Sequence, residues 1–357
     1  MTSRSEERRL ELIDWLSEPE NSSVRYLTMR YLLDKTEDEP EVKASRAAIP
    51  TSKPAKRIFA KQDPEGFWGD PEIPYLPKYR ASYWMLMLLG YLRLSWGDNG
   101  VSKAVEHLFP FQQSCGGFAE CGTEEARRQY EVVARRRRAG RKSLPPKDAF
   151  VSDHIHQMTL SCLTGNVVAA LLRLGYEDEP RVWRAIDWLV DIQNADGGWL
   201  CPYWKAHIKD KHSCFYGTIC ALEAFAEIPV ERRSSKIQQA ASCGAEFLLM
   251  HRLYKADHHD FAVINPNWLK LAFPWFYRYD ILRGLWVLAK LGVRDERMDD
   301  ALEVLRKKQT ADCRWVLEST PSGRMLTGFG KKGAPSKWIT LHALWIHKEI
   351  DRLTALE

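Results

Sequence analysis

Four segments of this chain share one pattern, and that pattern limits the fold more than any other feature. They are QDPEGFW from Gln62, QSCGGF from Gln113, QNADGGW from Gln193 and QTADCRW from Gln309. Each runs from Gln through a short polar or Gly-bearing stretch to an aromatic residue. A second pattern accompanies them. EDEPRVWRAIDWLVDIQ from Glu177 alternates charged and apolar residues behind a turn, as an outer helix does. EDEPEVKASRAAI from Glu37 and RDERMDDALEVLRKKQ from Arg294 have the same form. Between them lie stretches that are apolar on nearly every side, which suits buried inner helices. These begin at Ser22, Tyr79, Cys162, Cys214, Tyr279 and Ser336, 52 to 83 residues apart. Each interval holds two helices and their loops.

No segment alternates as a half-buried strand would. The expectation is one all-α domain over residues 1–357, an α/α toroid of about six helical hairpins. The last inner stretch has little chain after it. The N-terminal helix, Glu6 to Leu16, is expected to supply its outer partner and close the ring. An open helical solenoid is the other arrangement this pattern allows.

Fourteen Trp, 13 Tyr and 13 Phe argue against a disordered chain. No apolar run reaches the roughly 18 residues of a membrane-spanning helix. The opening MTSRSEERRLELIDWL lacks a signal-peptide apolar core, so a cytoplasmic location is expected. In that compartment eight Cys read as thiols or metal ligands before disulfides. A basic insertion at about 123–150 carries Arg127, Arg128, Arg135 to Arg138, Arg141 and Lys142. The stretch Arg135–Lys142 is a candidate contact for an anionic surface, with a solvated helix and loop as the simpler reading. No nucleic-acid motif accompanies it.

The Gln-to-aromatic repeat resembles the QW-type repeat of squalene and terpenoid cyclases and of protein prenyltransferase β subunits. The resemblance covers the chain from about Ser22 to its end. It implies a hydrophobic, isoprenoid-type small molecule in a central cavity, handled by a transferase or a cyclase. The repeat residues themselves are scaffold: Gly allows the turn and the aromatic packs on the next repeat. The D-x-D-D acid motif of class II cyclases is absent, and Asp299–Asp300 sits in an outer helix. Prenyltransferases hold zinc with an Asp-x-Cys step and a distant His. Here the matching positions read His212-x-Cys214 and Tyr277.

Cys162 and Cys214 open neighbouring inner helices in matching contexts, C-L-T-G-N and C-F-Y-G-T. Cys201 follows a repeat turn and His212 precedes Cys214 by two residues. Three thiols and one imidazole at one rim suit tetrahedral zinc. Cys121, His154 and His156 hold parallel positions and are alternative ligands. Cys115, Cys220, Cys243 and Cys313 read as packing. The aligned helix starts also direct Tyr79, Arg80, Tyr277, Lys337 and Trp338 to the hub as ligand-binding residues. Arg80 or Lys337 would hold a diphosphate. Asp280, beside Tyr279, is the candidate general acid, since burial would raise its pKa. Capping a helix, or pairing with Arg278 or Arg283, is its simpler role. A non-catalytic binding toroid with structural zinc, and a carbohydrate-active toroid with paired carboxylates, are the other readings.

Overall fold

The computed structural model describes residues 4–138, 144–200 and 212–355. Fifteen helices lie among them. They are α1 (Arg4–Leu16), α2 (Ser22–Tyr31), α3 (Pro40–Ala47), α4 (Lys53–Phe59), α5 (Ser82–Tyr91), α6 (Asn99–Leu108), α7 (Thr123–Arg138) and α8 (Lys147–Gln157). Then follow α9 (Ser161–Arg173), α10 (Pro180–Asp191), α11 (Phe215–Glu227), α12 (Ser235–Met250), α13 (Ile281–Lys290), α14 (Asp299–Lys307) and α15 (Lys337–Thr354). The only sheet among the described residues is a two-stranded hairpin, Lys255–Ala256 with Ala262–Val263.

Six helices form an inner ring, and those at its centre have no wet face. In α5 all ten residues are buried, and in α9 all thirteen. Packing runs α5 to α9, α9 to α11, α11 to α13, α13 to α15 and α15 to α2. From α5 through α9, α11, α13 and α15 to α2, neighbouring inner helices run the same way. Gly90 meets Ala170 and Gly165 meets Cys220 across neighbouring helices. Glu227 pairs with Lys290 at the ends of α11 and α13, at 2.7 Å. Lys348 of α15 donates to the Tyr31 and Leu32 carbonyls at the end of α2.

The ring closes where the first turn of α2 meets the end of α5. The Ser23 hydroxyl donates to the Leu92 carbonyl at 2.8 Å, and Arg93 donates to the Tyr31 hydroxyl at 2.8 Å. The architecture is therefore all-α, an α/α toroid rather than an open solenoid. Outside the ring, α10 shows the outer pattern. It buries Val182, Ala185, Ile186 and Leu189, the i, i+3, i+4, i+7 stripe of an amphipathic helix. The N-terminal helix sits outside the last inner one: the Trp15 ring lies 5.4 Å from Lys337 Nζ, and Glu18 pairs with Lys337.

The repeated segments are the rivets between layers. The aromatic residue of each buries its own backbone amide against a hydroxyl at the next inner helix. Trp68 donates to Ser82, Phe118 to Thr164, Trp199 to Thr218 and Trp315 to Thr340, at 2.9 to 3.1 Å. The three indoles reach back ten residues to a carbonyl of the preceding outer helix: Ile58, Leu189 and Leu305. The Gln side chain spans its own turn and the next outer helix: Gln62 donates to Gly66 and Gly100, and Gln193 to Gly197 and Ala240. One register is corrected here. In the second repeat this position is Gln112, which donates to Gly116 and Arg181, while Gln113 turns to the Phe111 carbonyl. Counting back six residues from Phe118, as from the three Trp, gives Gln112.

The insertion forms a helical hairpin of α7 on α8. Arg127 and Arg128 pair with Glu124 and Glu125 of their own helix. Arg135 and Arg136 are exposed, and Arg141 and Lys142 lie outside the described residues. No helix of the described residues is long and apolar enough to cross a membrane.

Candidate functional site

The hub has three levels. At the level of the inner-helix starts, the approach to α13 brings Trp275, Phe276, Tyr277 and Arg278 against the loop before α5. Tyr79, Trp84, Phe276 and Tyr277 form one aromatic cluster there: Tyr79–Trp84 centroids are 4.7 Å apart, Trp84–Phe276 5.1 Å and Trp84–Tyr277 5.2 Å. Together with Pro274, Arg278 and the loop Ser319 to Ser322 they line a cavity of about 340 Å³. That is within the usual size range of small-ligand sites, roughly 300–1,000 Å³. Tyr79 and Phe276 hold left-handed backbones, φ 67° and 51°. Such conformations cost about 1–3 kcal/mol each for residues of this kind and gather at functional sites. The Tyr277 hydroxyl and the Trp275 indole N–H are buried without a hydrogen-bond partner. Burial, first, and the neighbours Tyr75, Cys162, Glu120 and Cys220 raise the Tyr277 phenol well above its ordinary pKa.

Below this mouth the hub is filled. Phe273 stacks on Trp338 at 4.5 Å, and His342 lies between Trp275 and Trp286, at 4.8 and 4.5 Å. Burial pushes the His342 imidazole down to about 3, so it is neutral at pH 7. The remaining level is a buried ion network. Glu223 accepts from Arg173 and Arg283, and Glu227 from Arg173, Lys290 and Arg93. Arg283 also donates to Asn166 at 3.1 Å. Burial alone would push Glu223 upward, but Arg283 and Arg173 outweigh it and hold its carboxyl below the usual range. Glu227 is held lower still, by Arg173, Lys290 and Arg93 against burial. The mouth is thus a blind pocket with an aromatic wall and a charged plug beneath.

The residues singled out from sequence are distributed across this plan. Tyr79 and Tyr277 line the mouth cavity. Arg80 is exposed. Lys337 and Trp338 line a second cavity of about 320 Å³, at the seam of α1, α2 and α15, with Trp15, Ser23 and Phe329. Tyr279 turns away from the mouth: its hydroxyl donates to the Leu253 carbonyl at 2.6 Å, and its ring packs 5.0 Å from Phe215 and from Trp268. Asp280 caps α13. One carboxylate oxygen accepts the Arg283 amide and the other the Ala272 amide, both at 2.9 Å. Burial still pushes its carboxyl up to about 6.

Cys162 lies in the first turn of α9 and Cys214 caps α11, its sulfur accepting the Gly217 amide at 3.2 Å. His212 Nδ1 lies 2.7 Å from the Ser213 carbonyl oxygen, and its ring faces Phe247 and His251. Cys201 lies outside the described residues. Among the described residues no three His, Cys, Asp or Glu side chains gather as a metal requires. Of the alternative ligands, Cys121 is a buried thiol pushed up to about 12 by burial, and His154 stacks on Phe150 at 5.8 Å.

Two groups escaped the sequence reasoning. One is Trp84, hidden in an apolar run as one aromatic among several. The other is the network of Arg173, Glu223 and Glu227 with Arg283, which the sequence had offered only as a partner for Asp280. Its signal was present: each is an ionisable residue inside a helix with no polar face, and such a residue requires a buried partner.

No family model matches the chain, and no curated protein does. Solved structures share its course at low identity. A protein from Actinoplanes is 14% identical, with 94% of this chain and 90% of that chain covered and a TM-score of 0.43. The type II terpene cyclase MstE from Scytonema is 15% identical in its apo form, with coverage of 95% and 88% and a TM-score of 0.44. A variant of MstE in complex with geranylgeranyl dihydroxybenzoate, its substrate, is 14% identical, with coverage of 94% and 88% and a TM-score of 0.45. The toroid rests on the helix contacts of this chain itself.

Proposed function

We propose that this chain is a terpenoid cyclase-like or prenyltransferase-like toroid that binds the apolar chain of an isoprenoid-type molecule at the hub mouth. One observation carries the reading: Tyr79, Trp84, Trp275, Phe276 and Tyr277 wall a cavity of about 340 Å³ whose lining contains no carboxylate. Aromatic faces give such a site a large apolar contact area, and they stabilise positive charge that develops on a bound chain. The repeat resemblance supports the same ligand class. The seam cavity suits it less, because Glu20, Asn21, Lys337 and three serines share its wall.

Turnover would need a proton donor or a metal beside the chain. Asp280 has the raised pKa of a general acid, yet both its oxygens hold backbone amides. Binding is therefore the core of the proposal, and catalysis is a second question put to the same pocket. Titration with farnesol, followed by tryptophan fluorescence, tests it. Saturable quenching is expected, with a loss of affinity of tenfold or more in Trp84→Ala. Absence of binding to the folded protein overturns the proposal.

A zinc held by Cys162, Cys201, His212 and Cys214 is a separable part of the proposal. Its support is the thiol chemistry of Cys162 and Cys214 at the starts of adjacent inner helices. Elemental analysis of the purified protein should then give about one zinc per chain, lost in Cys162→Ala. A metal-free, folded protein returns both thiols to packing.

A further inference from the structure

We infer that Gly323 decides which chains the hub mouth accepts. Lacking a side chain, it lets the Tyr79 ring lie back against the loop that follows Ser319, and the slot so left admits the methyl branches of an isoprenoid. This rests on the binding proposed above and adds a specificity-determining residue to the same pocket.

The first ground is what a side chain at Gly323 would meet. An added Cβ would stand 2.5 Å from Tyr79 Cε2 and closer still to Cδ2, with Cγ at 3.5 Å. The three nearest atoms thus belong to one ring. Gly323 itself is exposed, and its backbone is not left-handed. Neither burial nor conformation demands glycine there; the ring does. Gly328, five residues on, is the contrast, since nothing lies within 4 Å of its added carbon.

The second ground is the place of that ring. Tyr79 lines the cavity of about 340 Å³ and Gly323 does not, so the glycine stands behind the wall. Among the described residues no hydrogen bond or ion pair fixes the Tyr79 side chain. Ring contacts hold it, with Trp84 at 4.7 Å and Phe276 at 5.6 Å. Both of those residues are buried and cannot retreat, so a ring pushed from behind moves into the slot. The third ground is the loop, which is held at both ends. The Ser319 amide donates to the Leu271 carbonyl at 3.1 Å, and its hydroxyl accepts from Arg278. On the other side Thr327 is buried, and Met325 and Leu326 pack on the core. Ordinary contact for a Cβ begins at 3.4 Å, so the ring must give way by about 1 Å. A wall displaced that far excludes a branched chain before a plain one. An isoprenoid carries methyl groups along its length, and a linear alkyl chain carries none.

The test compares farnesol with 1-dodecanol, alcohols of equal main-chain length, one branched and one not, on the full chain by tryptophan fluorescence. The parent is expected to favour farnesol. Gly323→Ala should lose at least tenfold in affinity for farnesol and less than about threefold for dodecanol. Its unfolding midpoint should equal that of Gly328→Ala, whose binding of both alcohols should match the parent. In a Tyr79→Ala background, Gly323→Ala should have no further effect, because the ring it acts through is gone. A glycine with only a structural role would weaken both ligands alike and add its effect to that of Tyr79→Ala. Equal loss of both alcohols, no loss in a folded Gly323→Ala, or a parent that prefers dodecanol overturns this inference and leaves the site standing. Failure of the parent to bind farnesol overturns the proposed function, and this inference with it. If Gly323→Ala does not fold, Tyr79→Ala alone decides: the advantage of farnesol over dodecanol disappears if this pair sets the slot, and persists if it does not.

Discussion

Glu223→Ala is expected to lower unfolding stability by about 3–5 kcal/mol, the cost of leaving buried charges without their counter-ion. Glu223 is 1% exposed and holds both Arg173 and Arg283. Removing it strands part of the charge of each in the centre of the ring. Glu223→Gln keeps the shape and one acceptor, so it should cost less. Urea denaturation measures both, provided the m-value stays constant. A cost below about 1 kcal/mol for the alanine variant would mean the network is open to water and the hub is not plugged.

The same network shapes acid stability. Glu223 and Glu227 titrate below their unfolded value of about 4.5. Their contribution is therefore complete above that value and is lost as pH falls through the folded one. Asp280 works in the other direction. Its carboxyl is pushed up from 3.8 to about 6. Between those values the folded protein keeps a proton that the unfolded chain has released, so this contribution declines as pH rises through the window.

Gly165→Ala is the second large effect, and here the sign alone is informative. In an exposed helix interior this change stabilises by about 1 kcal/mol. At Gly165 an added Cβ would lie 2.5 Å from the Cys220 carbonyl carbon and oxygen and 2.8 Å from the Ala221 nitrogen. That is backbone, which cannot rotate aside. The tightest crossing of the ring would have to open, and a loss of about 1–3 kcal/mol or more is expected. Gly97→Ala is the control, since nothing lies within 4 Å of its added carbon. Thermal or urea unfolding of the pair distinguishes them. A Gly165→Ala protein as stable as the parent would contradict the close approach of α9 and α11.

The ring was legible in the sequence because its causes are periodic. Inner helices without a polar face, outer helices with an apolar stripe and four Gln-to-aromatic turns each repeat, and repetition exposes a rule. Even the misplaced register at Gln113 was a local error, since the adjacent Gln112 sits the same six residues before its aromatic as the other three. The site was less legible because it depends on where loops return. Tyr79 and Tyr277 were found by aligning helix starts. The same alignment directed Lys337 and Tyr279 to the hub, whereas the structure sets Lys337 at the seam and turns Tyr279 toward Phe215, because a start position fixes height in the ring but not direction around the helix. Asp280 shows the limit most clearly. The position is right, but a short acid before a helix satisfies the first free amides, and here a second strand of chain, at Ala272, takes its other oxygen.

The most direct measurement is the crystal structure of the full chain grown with farnesol. The account predicts its density among Tyr79, Trp84, Phe276 and Tyr277, with the ion network below intact. A ligand seated instead beside Trp15 and Lys337 at the seam, with the mouth closed by its own side chains, would contradict it.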